Sequence, residues 1–211
     1  GIDGVVQPFA AAFGEEVGDE PVADVAGKGI SAALLMSTVQ ASLRCQMSSS
    51  RIPLPDVAAS LNRVIQRSSA DNRFATIFFA EFDGATRSLT FVNAGHNPPL
   101  LVRPGATGTH GAVKLLSGGG PIIGVFSNQR YEQQRIQLES GDVLIGYTDG
   151  VTEAMNMAGE EFGIDRLRSI ALESLRMSSR ETTDRIVREV LSWQGLAVQH
   201  DDITLVVAKV K

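Results

Sequence analysis

The sequence predicts an α+β domain in which helices cover a mainly antiparallel sheet system. Three observations lead there. Runs rich in Phe, Val, Ile and Thr, separated by turn dipeptides, occupy the middle of the chain and its last residues. Segments of helical periodicity stand on either side of the central runs. No repeat of fixed period and no long linker interrupts the 211 residues.

Taken in order, the stretch from Gly29 to Met47 places Ile30, Ala33, Leu34, Ser37, Gln40, Ala41 and Leu43 at helical spacings with no proline, which predicts a mostly buried helix. Gly27 and Gly29 make its approach flexible. A second helix is expected after Pro55, with Asp56 in its first turn and Val57, Leu61, Val64 and Ile65 on one face, ending among Ser68, Ser69 and Asp71. The period then changes. "FATIFFAEFDGATRSLTFVNAG" reads as two strands of a hairpin turning at Asp83-Gly84. Strand signals continue in "PLLVR", "VKLL", "YEQQRIQL" and "DVLIGYT". Pro98-Pro99, the small residues from Pro104 to Gly111, and Gly118-Gly119-Gly120-Pro121 carry the chemistry of turns and loops. Helical patterning returns from Ile164 to Leu175 and from Glu181 to Trp193, and "DITLVVAKV" closes the chain as a strand.

Composition narrows the function. With 43% apolar and 20% charged residues the chain buries one sizeable core, so a single domain over 1–211 is expected. A net charge of −5 argues against general nucleic-acid binding, which needs a basic face to neutralise phosphates. The same balance suits carboxylates gathered around cations. Cys45 is the one cysteine, has no disulfide partner within the chain and lies in an apolar helical pattern, which points to a reducing cytosol. No apolar run approaches the roughly 18 residues of a membrane span, and the N-terminal residues lack the order of a signal peptide, so a soluble cytoplasmic domain is expected.

The segment "VADVAGKGISAALLM" sets an acid, a glycine-flanked lysine and a helix start side by side. It is not a Walker loop, because Val22 stands where that loop needs glycine and Gly29 where it needs Ser or Thr. The spaced three-glycine dinucleotide fingerprint is absent as well. A metal reading draws on two further stretches, "YTDGVTEA" with Asp149-Gly150 and "QHDDITLVV" with Asp201-Asp202, since each acid stands at the boundary of a predicted strand. Carboxylates from strand ends can converge, and as hard ligands they suit Mg²⁺ or Mn²⁺. Two such ions prepare a water for in-line attack at phosphorus. His96, His110 and His200 show no zinc-type spacing. Each acid alone reads first as a turn residue, and it is Asp24, Asp149 and Asp201 together that favour the metal; Asp83-Gly84 in the hairpin is the case in which the turn reading suffices.

"DVAGKGISAALLM", "FATIFFAEFD", "LTFVNAGHNPPLLVR", "GGPIIGVF", "GDVLIGYTDGVTEAMNMAGEEFG" and "DDITLVV", in this order and covering nearly the whole chain from Asp24, resemble the catalytic domain of bacterial metal-dependent serine/threonine protein phosphatases of the SpoIIE/RsbU type, within the PPM superfamily. The resemblance implies an α-β-β-α sandwich of two mainly antiparallel sheets flanked by helices. It implies a centre of two Mn²⁺ or Mg²⁺ ions and hydrolysis of phosphoserine or phosphothreonine on a protein, often an anti-sigma-factor antagonist. It also implies a signalling role in sigma-factor regulation, with a regulatory sensor domain or a homodimer as possible company. By position, Asp24 matches the acid that bridges both metals, with the Val25 carbonyl as a further contact. Asp149 matches the acid of the "TDG" motif, with Gly150 allowing close backbone approach. Asp201 matches the first acid of the "DDxT" motif, and Asp202 its structural neighbour. On this reading the glycines of "DVAGKG" serve backbone geometry, Lys28 faces solvent, no protein nucleophile is used, and the helix from Gly29 is a candidate regulatory switch.

In "NAGHNPP", Asn93 and His96 read either as a loop at the substrate entrance, with His96 as an auxiliary proton donor, or as a structural turn before Pro98. Met36, Met47, Met155 and Met157 are expected to be packing or loop residues. The chain departs from the family pattern before Asp24. Members carry a "GGD" motif whose acid is another metal contact, whereas "AAAFGEEVGDEPVADV" offers only Glu15, Glu16 and Asp19, leaving residues 1–23 as atypical or incomplete strands. The second ion is therefore expected to bind weakly. The alternative reading is a pseudophosphatase or phosphoprotein-binding module with an incomplete metal centre.

Overall fold

A computed structural model describes residues 12–13, 22–25, 37, 41–42, 52–68, 74–106, 111–199 and 201–211. The chain divides into two compact units, one built from Phe9–His96 and Ser117–Gln137, the other containing Asn97–Leu116 and Leu138–Lys211.

In the first unit, α1 (Leu54–Ser68) begins at the predicted proline and carries Asp56 in its first turn, where a negative charge favours the helix dipole. Leu54, Val57, Ala58, Leu61 and Ile65 recur at three- and four-residue spacing and are buried with Ala75, Ile77, Phe79, Val92 and Ala94. Those last five come from the hairpin of β3 (Ala75–Asp83) and β4 (Ser88–Ala94), which pair antiparallel from Phe78↔Asn93 to Asp83↔Ser88. Alternation sends Phe78 and Phe91 to the opposite face, where their rings stack 5.5 Å apart.

Around this hairpin the sheet adds β1 (Ala12–Phe13), β2 (Val22–Val25), β7 (Gly119–Gly120) and β8 (Gln134–Gln137). Strand β2 runs antiparallel to β3 with Asp24 opposite Thr76 and Val25 opposite Ala75. The loop expected over Gly118–Pro121 instead contributes the short strand β7, parallel to β4. Glycine makes that possible: a Cβ on Gly119 would lie 2.5 Å from the Asn93 amide nitrogen. Helical backbone at Ser37 and at 41–42 falls within the span expected to be helical from Gly29 to Met47, and the rest of that span lies outside the described residues.

In the second unit, four strands lie in the order β10-β9-β5-β6, antiparallel throughout: β5 (Leu100–Arg103), β6 (Ala112–Leu115), β9 (Val143–Tyr147) and β10 (Leu205–Lys209). All five residues of β9 are buried, as its unbroken apolar run requires. Between β9 and β10 come α2 (Asp149–Thr152), α3 (Ile164–Glu173) and α4 (Ser179–Gln194). The amphipathic stripes of α3 and α4 put Leu167, Ile170, Ala171, Ile186 and Val190 into one core with Leu100, Val102, Val143, Ile145 and Tyr147. A capping box, in which Ser178 and Glu181 bond reciprocally, starts α4.

Asp142 at the start of β9 is fully buried. Its carboxylate is satisfied by Arg103 Nε at 3.0 Å, Arg103 Nη2 at 2.7 Å and the Glu139 amide at 2.8 Å, as burial of a charge demands. Two mainly antiparallel sheets with helices match the α+β class expected from the sequence.

Candidate metal-binding acids

Asp149 and Asp201 belong to the same unit, and the register of β9 with β10 explains why the segments that carry them meet. Leu205 pairs with Tyr147, so the residues after β9 and those before β10 emerge at one end of the sheet. Thr148 joins the two segments. Its backbone nitrogen donates to the Thr204 carbonyl at 3.1 Å, and its hydroxyl donates to the Asp202 carbonyl at 2.9 Å while accepting from the Thr204 amide at 2.9 Å. Thr148 stands at the N-cap of α2, yet its side chain makes no cap hydrogen bond because the hydroxyl is engaged by the neighbouring segment.

Gly150 completes the joint. A Cβ there would sit 2.2 Å from the Asp202 carbonyl oxygen, so only glycine lets the two backbones touch. The close approach expected at Gly150 is thus toward the Asp202 backbone. The strand-boundary turn expected at Asp149-Gly150 is a single helical turn beginning at Asp149.

The carboxylates keep capacity for a ligand. Asp149 Oδ1 accepts from the Gly150 amide at 2.9 Å, and Asp201 Oδ1 accepts from the Asp202 amide at 2.8 Å. Glu153 lies one turn after Asp149. Although Glu153 is exposed, partial desolvation first, then the charges of Asp149, Glu161 and Asp201, hold its carboxyl above the usual range. This mutual repulsion is the setting that a divalent cation relieves, and an all-oxygen donor set fits Mg²⁺ or Mn²⁺. Among the described residues, no three His, Cys, Asp or Glu side chains gather into a complete cation site.

Asp24 and Val25 are in β2 of the other unit, and their side chains are outside the described residues, as are Lys28, Cys45, His110, His200 and the acids Glu15, Glu16 and Asp19. His96 is only 5% exposed. Its Nδ1 lies 3.2 Å from the Thr76 hydroxyl, and its backbone nitrogen donates to Asn93 Oδ1 at 2.8 Å, so the turn reading of "NAGHNPP" describes these contacts.

Sequence reasoning passed over Thr148 and Glu153. The second had a signal, because Glu153 stands four residues after Asp149 on a run long enough for one helical turn. Thr148 had none, since its partners are 54 and 56 residues away.

The family model described as Stage II sporulation protein E (SpoIIE) matches residues 21–211. Phosphoserine phosphatase RsbU of Bacillus subtilis is 30% identical over 190 residues, covering 90% of this chain and 55% of its own length. Protein IcfG of Synechocystis sp. is 33% identical over 133 residues, 63% of this chain and 20% of the relative. The chain therefore spans about half or less of these curated relatives. The SiaA-PP2C domain of Pseudomonas aeruginosa shares the fold at a TM-score of 0.74 and 23% identity, covering 93% of this chain and 78% of that one. Among the described residues no helix is long and apolar enough to cross a membrane.

Proposed function

The chain belongs to the SpoIIE family, and from that premise we propose that it is the catalytic domain of a phosphoprotein phosphatase acting on phosphoserine or phosphothreonine. Asp24, Asp149 and Asp201 supply the anionic ligands of a Mn²⁺ or Mg²⁺ centre, with the Val25 carbonyl and Gly150 as backbone contacts. The observation that carries this reading is the joint at Thr148 and Gly150, which holds Asp149 and Asp201 at one sheet end with carboxylate capacity to spare. An anti-sigma-factor antagonist is the proposed substrate class, supported by the likeness to RsbU, and a regulatory domain or a second copy the proposed partner.

When bound, the ions supply charge that polarises water and the phosphoryl oxygens. The chain's own part is positional. Thr148 fixes the distance between the two acid-bearing segments, and the Gly150 and Asp202 amides each orient one carboxylate oxygen. If no "GGD"-type acid joins Asp24 in the centre, the second ion binds weakly and activity climbs with Mn²⁺ into the range of about 1 mM.

Turnover of a phosphoserine protein, followed as phosphate release with and without Mn²⁺, tests this directly. Dependence on the ion, and its loss in Asp149→Asn and Asp201→Asn with weakened Mn²⁺ binding by calorimetry, is the expected result. Unchanged Mn²⁺ affinity in both variants overturns the ligand assignment. Binding of the phosphoprotein without turnover at any Mn²⁺ concentration favours the phosphoprotein-binding module instead, a reading motivated by the missing "GGD" acid.

A further inference from the structure

We propose that the hairpin over residues 154–162 determines substrate specificity, presenting Met157, with Met155 beside it, to an apolar side chain that flanks the phosphorylated residue of a polypeptide substrate. This rests on the phosphatase reading above and deepens it.

The hairpin grows out of the acid site. It begins two residues after α2, whose first residue is Asp149. Its arms are joined by Phe162 N to Ala154 O at 2.8 Å and Asn156 N to Glu160 O at 3.0 Å, with Met155 bridged to Glu161. Asn156 organises the tip: its Oδ1 accepts from the Ala158 and Glu160 amides, and its Nδ2 donates to Glu160 Oε2.

The returning arm is also anchored. Trp193 Nε1 donates to the Glu160 carbonyl at 3.1 Å, and Arg166 Nη1 donates to the Phe162 carbonyl at 2.7 Å and the Glu161 carbonyl at 3.2 Å. The Arg166 guanidinium lies 3.8 Å over the Trp193 ring, which meets buried Phe162 edge-on with centroids 6.4 Å apart. The arms are thus committed to each other and to α3 and α4. A turn held this firmly cannot fold its apolar side chains inward, and Met157 is 74% exposed and Met155 37%. Of the packing or loop roles expected, Met157 takes the loop one.

An apolar, adaptable side chain on a pre-organised polar turn meets a partner at low ordering cost. Continuity with the acid site identifies that partner. One helical turn and four extended residues separate Asp149 from the tip, at most about 20 Å, so the side chain Met157 meets lies within about six residues of the phosphoserine. Exposed Glu160 and Glu161 disfavour an acidic flank.

Phosphoserine peptides that differ only in Leu or Gly at each position within about six residues of the phosphoserine test the proposal, with Mn²⁺ present. p-Nitrophenyl phosphate, which has no flanking residue, reports the chemistry in each variant. The wild type is expected to prefer Leu by about tenfold in kcat/KM at one or two positions, through KM. In Met157→Asp that ratio falls to about one, and Met157→Leu retains it, with thermal unfolding confirming that both variants fold. No preference in the wild type, or an undiminished preference in Met157→Asp, overturns the proposal while Mn²⁺-dependent turnover of p-nitrophenyl phosphate leaves the phosphatase reading standing. Absence of Mn²⁺-dependent turnover on every substrate removes the phosphatase reading and this inference with it.

Discussion

Asp83-Gly84 and Asp149-Gly150 are the same dipeptide at the end of a strand, and the fold uses them in opposite ways. Asp83 closes its own turn, its Oδ1 accepting from the Ala85 amide at 2.9 Å and the Thr86 amide at 3.2 Å. Gly84 has room around it: a methyl group there would find its nearest neighbour, a Phe82 ring carbon, at an ordinary contact distance of 3.9 Å. Asp149 accepts only the adjacent Gly150 amide among the described residues, and Gly150 is pressed against the Asp202 backbone. Asp83 is engaged by two amides of its own turn, whereas the loop of Asp149 is held by a distant segment and its carboxylate meets one adjacent amide.

The sharpest way to break this comparison is to neutralise each acid. Asp149→Asn is expected to lower Mn²⁺-dependent phosphatase turnover by more than about 100-fold with the fold retained, whereas Asp83→Ala leaves turnover at the wild-type level. Equal losses in phosphate-release assays would dissolve the distinction.

The glycines come next. Gly150→Ala must displace the Asp202 carbonyl from 2.2 Å, so urea unfolding is expected to show a loss of about 3 kcal/mol. Gly84→Ala meets no close neighbour and changes stability by less than about 1 kcal/mol. A Gly150→Ala protein as stable as the wild type would mean that the joint to Asp202 yields.

The smallest effect is the pH dependence around the two sites. The Thr86 hydroxyl and amide, then the Ala85 amide, hold the Asp83 carboxyl below its ordinary 3.8. Stability from a lowered carboxyl is complete above the unfolded value and lost as pH falls through the folded one, so the gap between wild type and Asp83→Ala closes below pH 3.8. Glu153 is shifted the other way, above 4.5, by partial desolvation and its acidic neighbours. Relative to Glu153→Gln, metal-free wild type therefore loses stability as pH rises past 4.5, and the variant gains on it. Urea titrations between about pH 3 and 7 should give slopes of opposite sign for the two pairs. Slopes of the same sign would mean that the acid cluster does not repel as its placement requires.

Much of the fold was legible because its signals are local. The stripe of Val57, Leu61 and Ile65 specified α1, the alternation and turn at Asp83 specified the β3–β4 hairpin, and the unbroken apolar run after Asp142 specified β9. The acids of the candidate site were legible for the same reason, since "YTDG" and "DDIT" mark strand boundaries without knowledge of any partner. The strand β7 was not legible, because a glycine pair states that a backbone can come close and not which backbone does. The one-turn helix at Asp149 is too short to leave a period.

What the sequence by itself determined is therefore the inventory: α+β class, the order of the longer strands and helices from Leu54 onward, and the acids Asp149 and Asp201 near strand ends. Tertiary structure alone decided that β9 and β10 pair in the register Tyr147↔Leu205, which sets Thr148 and Gly150 against the Asp202 backbone. It also decided that Trp193 and Arg166 hold the returning arm of the hairpin that exposes Met157. The physical reason is range. Periodicity and turn chemistry act between residues a few positions apart, whereas these contacts join residues separated by as many as 56 positions, and their energy exists only once the sheet has brought them together.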